Sequence, residues 1–298
     1  MKGPGPIVID AETSGFRNTN VVRRGNFQPI VDFILSSLTS TADLIGADVL
    51  SSSIFLTISQ SRDVGVSIFA ISECLGLPYE TVRRRVEALR DAGQIDKQDT
   101  GRWVECRGVR AADDDHDHRI VQLFLAAMSA SGLDDIRDEA FNAAVDSASF
   151  CRKTTTDILC KIPLRAIEFG LRFFPSITDA VIFLTVMNIN VASSRDLAAQ
   201  TATDLRVYTL TPNPVWIPAK SADVAAQLGM HRETVRRRLI ELTKLGQCER
   251  FQNGYLASRR FIADPEVAAA WSKTLEAFEQ SKRDFAKLLK GEGAQRRL

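Results

Sequence analysis

Two arginine triplets hold the most distinctive chemistry in this sequence. Arg83, Arg84 and Arg85 follow Glu80-Thr81-Val82, and the same six residues return 153 positions later as Glu233-Thr234-Val235-Arg236-Arg237-Arg238. A guanidinium is a planar, permanently charged fork that bonds two acceptors at once, as a phosphate or the edge of a guanine presents them. On a helix, at about 100° per residue, each triplet fans round the axis. Arg84 then points away from the apolar stripe formed by Val82, Val86 and Leu89, with Arg83 and Arg85 on either flank. Only part of a triplet faces one ligand surface, so Arg83, Arg84, Arg236 and Arg237 are the expected base or phosphate contacts. Arg85 and Arg238, nearer the apolar side, are expected to pair with Glu or lie along the domain surface. The Thr81 and Thr234 hydroxyls add phosphate donors. Tyr79 and Arg232, at the helix starts, differ between the copies and are expected to give them different sequence preferences, with His231 a further candidate.

The elements that position these residues follow from the pattern around them. Residues 71–95 lie on 224–248 without a gap, with eleven of twenty-five positions identical, including Leu75/Leu228, Gly76/Gly229 and Gly93/Gly246. Ser67 and Ser221 read as N-caps of a short helix in each copy, and Gly76 and Gly229 as left-handed turns ending it. Pro78 opens the first arginine helix. Beyond the second glycine, Ile95–Val104 and Cys248–Leu256 read as hairpins. Asn253-Gly254 is the strongest turn signal, since both residues tolerate positive φ. Lys97, Arg102 and Arg250 on these hairpins are expected to reach a neighbouring groove or backbone of the ligand.

This order resembles the winged helix-turn-helix proteins, and bacterial transcription regulators among them with the pattern Leu-Gly-x-x-x-x-Thr-Val-x-Arg. Here that pattern is Leu75-Gly76…Thr81-Val82…Arg84 and Leu228-Gly229…Thr234-Val235…Arg237, and the likeness covers about forty residues per copy. It implies a mainly α fold with small β wings, built as two pseudo-symmetric winged helix-turn-helix domains in one chain. It also implies double-stranded DNA as partner, with each arginine helix in a major groove. Two copies imitate a dimer and would cover successive grooves about 34 Å apart. Tandem winged-helix replication initiators of plasmids, which bind repeated sites, are an alternative. So are the winged-helix scaffolds of chromosome organisation, which hold protein and would be expected to lack arginine here.

Length and composition bound these readings. With 298 residues, 45% hydrophobic and 25% charged, the chain suits two globular domains. We expect a flexible arm at 1–26, a first domain at 27–147 and a second at 148–298. The second is expected to contain an insertion near 197–217 and a long C-terminal helix. Ser61-Arg62-Asp63 and its echo Ser194-Arg195-Asp196 place about 20 extra residues in that insertion, which we expect to lead into a first wing strand at Val215-Trp216-Ile217. No apolar run reaches the length of a membrane span and no signal peptide is evident, so a cytoplasmic, nucleoid-associated protein is expected. A net charge of +1 makes any DNA surface local. By formal charge, residues 231–250 carry +3 and residues 78–94 carry +1, favouring the second copy.

Other chemistry is weakly supported. Asp113-Asp114-Asp115-His116-Asp117-His118 clusters metal-ligating types, but consecutive residues cannot all face one ion, so a solvated linker before a helix at 119–130 is the expectation. Five cysteines without a Cys-x-x-Cys pair read as reduced thiols. No phosphate loop or nucleophile motif appears, so neither an enzyme nor a cofactor is expected. The C-terminal helix from Asp264-Pro265-Glu266, with Val267, Trp271, Leu275, Phe278 and Phe285, has an aromatic stripe suited to a homodimer or to its own domain. No effector domain is visible.

Overall fold

The computed structural model describes residues 27–61, 64–106, 114–130, 150–151, 154–200 and 217–295. These are mainly helical, with two small antiparallel sheets. The expected arm at 1–26, all but Phe150 of a helix expected over 134–150, and residues 201–216 of the insertion lie outside the described residues.

The first half runs α1 (Phe27–Leu44), α2 (Val49–Gln60), α3 (Ile68–Leu75), α4 (Tyr79–Asp91), β1 (Ile95–Lys97), β2 (Trp103–Glu105) and α5 (Asp114–Ala130). After a π-helical turn at Thr155–Leu159 come α6 (Lys161–Phe173), α7 (Ile177–Gln200), α8 (Ser221–Leu228) and α9 (Arg232–Lys244). The chain ends through β3 (Cys248–Phe251), β4 (Gly254–Ala257), α10 (Arg259–Ile262) and α11 (Pro265–Gln295). In both halves, therefore, two helices joined by a tight turn precede a hairpin.

Local chemistry explains the matching boundaries and the places where they part. The Ser67 hydroxyl caps α3 by accepting from the Ala70 amide at 3.1 Å. Gly76 and Gly229 end α3 and α8 at φ +56° and +61°, where a side chain is disfavoured. Ser221 is not a cap: it is the first residue inside α8, and the cap position falls on Lys220, which makes no side-chain capping bond. The reason is register, since the 153-residue offset carries Ser67 onto Lys220.

The second hairpin also departs from expectation. Phe251 pairs with Gly254, so the two-residue loop is Gln252-Asn253, with Gln252 at φ +49°. Gly254 serves closeness instead: a Cβ there would meet the Pro218 Cβ at 2.8 Å and the Ala219 carbonyl oxygen at 2.9 Å. Each hairpin gains one more bridge from the chain entering its helix–turn–helix. Val66 and Trp103 exchange amide-to-carbonyl bonds of 2.9 Å, as do Ala219 and Tyr255. In the second half this bridge is the counterpart of the one at Val66; of the strand expected at 215–217 only Ile217 lies among the described residues. Asn190 of α7 secures it: its side-chain amide donates to the Ile217 and Tyr255 carbonyls, at 2.7 and 3.1 Å, and its Oδ1 accepts from the Ala257 amide at 2.8 Å.

Two further expectations change. The acidic run is no free linker from Asp114 onward, because α5 begins there and His116 and His118 are helical. Among the described residues no group of three His, Cys, Asp or Glu could hold a metal. The Ser-Arg-Asp echo does not mark equivalent places either. Ser61 caps the end of α2, whereas Ser194 lies within α7, which continues to Gln200. The helix starts align instead at an offset of 128, where Ile54-Phe55-Leu56-Thr57 returns as Ile182-Phe183-Leu184-Thr185. With 153 for the arginine helices, the second half carries 25 additional residues between the start of α7 and the start of α8, and 12 of them are the extra length of α7, 24 residues against 12 for α2.

A single set of buried side chains runs through both halves. Its centre is aromatic: Phe124 of α5 meets Phe33 of α1 at 5.5 Å between ring centroids, Phe278 of α11 at 5.3 Å and Phe285 at 5.7 Å, all edge-on. The C-terminal helix begins as expected, with Asp264 Oδ1 accepting from the Glu266 and Val267 amides. Its stripe of Val267, Trp271, Leu275, Phe278 and Phe285 is buried inside this chain, so a homodimer would have to use a different face. Among the described residues no single helix is long and apolar enough to cross a membrane.

Candidate nucleic-acid interface

The interface begins with two amphipathic helices that bury one narrow stripe each. Val82, Val86 and Leu89 of α4, and Val235, Leu239 and Leu242 of α9, are buried, which leaves the rest of each surface outward. Each helix has 13 residues, about 20 Å of length. Tyr79, Arg84, Arg232, Arg236 and Arg237 are exposed; Thr81, Thr234 and Arg83 are partly so; His231 caps α9 at its exposed start.

Acidic neighbours then sort the arginines. Arg83 donates to both Glu80 oxygens, at 2.8 and 2.6 Å, and to Glu87 at 2.6 Å. Arg236 makes the same fork to Glu233, at 2.8 and 2.7 Å, but Ile240 stands where Glu87 would be. Hydrogen bonds from Arg83 hold the Glu80 carboxyl down to about 2, and those from Arg236 lower Glu233, so both acids stay ionised at neutral pH. Exposed pairs of this kind contribute little net stability and exchange readily for another anion. Arg84 touches Glu80 only through Nε at 3.3 Å and is 75% exposed, while Arg232 and Arg237 form no ion pair among the described residues. The second helix thus presents more unengaged cation than the first, as the formal charges anticipated.

The third arginine of each triplet turns back onto its own half. Arg85 Nη1 donates to Asp48 Oδ1 at 2.5 Å and to Ser51 Oγ at 2.6 Å. Arg238 Nη1 donates to Asp179 Oδ2 at 3.2 Å. The partners are aspartates and not the expected glutamates, and they sit at the N-terminal ends of α2 and α7, the helices that precede α3 and α8. Asp48 is the N-cap of α2 with Ser51 three residues on; Ser176 precedes α7 with Asp179 three residues on. The capping pair is the same with its members exchanged. Burial tends to raise the Asp48 carboxyl, but Arg85 and the Ser51 amide outweigh it and hold it low.

Neither triplet is buried: Arg84, Arg236, Arg237 and Arg238 are exposed and Arg83 and Arg85 partly so, although Arg85 and Arg238 reach back to acids of their own half. No family model, curated protein or solved structure matches the chain. The interface therefore rests on the chain's own repetition.

On the hairpins, Lys97 lies over the Trp103 ring at 5.7 Å and Arg250 over the Tyr255 ring at 5.9 Å, each charge exposed at its tip. Arg102 reaches back to the Val64 carbonyl at 3.5 Å. All three stand on the hairpin that follows their own arginine helix. The cysteines offer no competing chemistry: burial pushes the Cys160 and Cys248 thiols up to about 12, far from the thiolate form. Cys74 is exposed on α3, and burial of its sulfur raises it as well.

Sequence reasoning missed Asp48, Ser176 and Asp179, the residues that orient the arginine helices. The repeated Ile-Phe-Leu-Thr tetrapeptide was the available signal, because it sets Asp48 against Ser176.

Proposed function

We propose that this chain is a sequence-specific, double-stranded-DNA-binding transcription regulator, built as tandem winged helix-turn-helix units whose α4 and α9 enter successive major grooves. The observation that carries the reading is the duplicated helix with an outward Arg pair, Arg83-Arg84 and Arg236-Arg237, opposite a buried aliphatic stripe. Arg237 and Arg232 are the leading base-edge candidates, since a bidentate contact with guanine O6 and N7 discriminates by roughly 1–3 kcal/mol. Arg83 and Arg236 suit phosphates, which replace their glutamate partners at little cost. Lys97, Arg102 and Arg250 extend the footprint along the backbone from the wings.

The test is binding to duplexes selected from random sequence, as a function of salt. With six phosphates engaged, log K against log salt has a slope of about −5. Replacing Arg236 and Arg237 by alanine should weaken binding and flatten that slope; unchanged affinity with unchanged slope would remove the assignment. Enrichment of directly repeated sites would point to the replication-initiator alternative. Capture of a protein partner without DNA, with no duplex retained, would point to a scaffold.

A further inference from the structure

The two arginine helices belong to halves that touch through α6 and α11. Gly76, which ends α3 in the first half, has the Leu171 side chain of α6 3.3 Å from where its Cβ would stand. Two residues along the same helix, the Phe173 carbonyl accepts from Gln247 Nε2 at 2.5 Å, at the foot of the second hairpin. Phe169, also on α6, packs edge-on against Trp271 of α11 at 5.1 Å, and Phe278 of α11 meets Phe33 of α1 at 6.5 Å. One helix thus abuts the turn of the first helix–turn–helix and the strand entry of the second, while another threads the core of both.

We propose that the molecule is a rigid double reader: it recognises two half-sites on one duplex at one fixed separation. This rests on the DNA-binding reading above and adds the class of site. Two winged units on a slack tether would accept any separation that returns both half-sites to the same face of the duplex, because a tether stretches. A body joined through α6 and α11 cannot follow a half-site moved about 34 Å by one added helical turn. Even a single inserted base pair rotates one half-site by about 35° and shifts it by about 3.4 Å, beyond what packed rings absorb.

The full chain is used for the test. From a duplex recovered by random-sequence selection, derivatives are made with the half-sites separated by one to ten additional base pairs. Affinity should peak at the original separation, fall at least roughly tenfold within two base pairs, and stay low at ten. Recovery at ten added pairs, or tolerance throughout, would overturn the inference. Calorimetry of the DNA-free chain supplies a second reading that needs no DNA. One transition, with calorimetric and van't Hoff enthalpies equal, supports a single body; two separate transitions refute it. Should selection retain no duplex, the regulator reading fails, and calorimetry still decides whether the halves are joined.

Discussion

Arg85 and Arg238 occupy the same place in the repeat, yet their acids differ in surroundings: the Asp48 side chain is 50% exposed and the Asp179 side chain 3%. The pairs link α4 to α2 and α9 to α7. The buried acid leaves a larger desolvated group behind when its partner is lost. A double-mutant cycle on Arg238 and Asp179 should therefore return a coupling of about 1 kcal/mol in urea unfolding, against about 0.5 kcal/mol for Arg85 and Asp48. Equal couplings would show that burial of the acid is immaterial. A second prediction concerns His116, half-buried between α5 and α1 with Nδ1 3.3 Å from Ser40 Oγ. Burial, assisted by Arg119, lowers it from 6.5 to about 4, so the folded state prefers the neutral ring. The unfolded chain then takes up the proton first as pH falls. The contribution of His116 is complete above about pH 6.5 and is lost between 6.5 and 4, by up to about 1.4 kcal/mol per pH unit. His116→Gln should flatten that part of the stability profile; an unchanged slope would place the titration elsewhere. Helical periodicity is why the outward arginines could be read from sequence. The acidic partners of Arg85 and Arg238 were not legible, because these pairs join positions 37 and 59 residues apart and the acid does not keep its place in the repeat.

At the scale of elements, glycine shows how identical letters meet different surroundings. Gly76 and Gly229 both take positive φ, but a Cβ at 229 meets nothing within 4 Å, whereas one at 76 presses on Leu171. Gly229→Ala should cost about 1 kcal/mol for the backbone alone, and Gly76→Ala measurably more. Equal shifts in the urea midpoint would mean that Leu171 yields freely. The turn glycines, helix spans and hairpins were visible from sequence because they are set by residues within a few positions of one another. Gly254 was misread as a turn residue for the opposite reason: what requires glycine there is the backbone at Pro218 and Ala219, distant in sequence. The Asn190 clamp escaped notice likewise, since a lone asparagine in an apolar helix shows nothing of the carbonyls it will meet.

For the molecule as a whole, the aromatic centre makes the two halves interdependent. Phe278 belongs to the last helix and packs against Phe33 and Phe124 from the first half, fully buried. Truncation of such a ring costs about 3–5 kcal/mol. Phe278→Ala should accordingly lower stability by that amount, and hydrogen exchange should quicken in step at α4 and α9. Faster exchange in α9 alone would show that the halves unfold separately. The sequence marked this stripe as apolar and left its occupant open, because periodicity identifies a face and not what covers it.

The exchanged capping pairs bear on descent. If both halves derive from one ancestral unit, Asp48 and Asp179 cannot both sit where the ancestor kept its acid. An unpaired arginine during the change would have been a poor intermediate. A stretch with aspartate at both positions would have kept the guanidinium answered throughout, after which either acid could decay to serine. Selection would then have preserved the handshake between helices and let the identity of the hand drift.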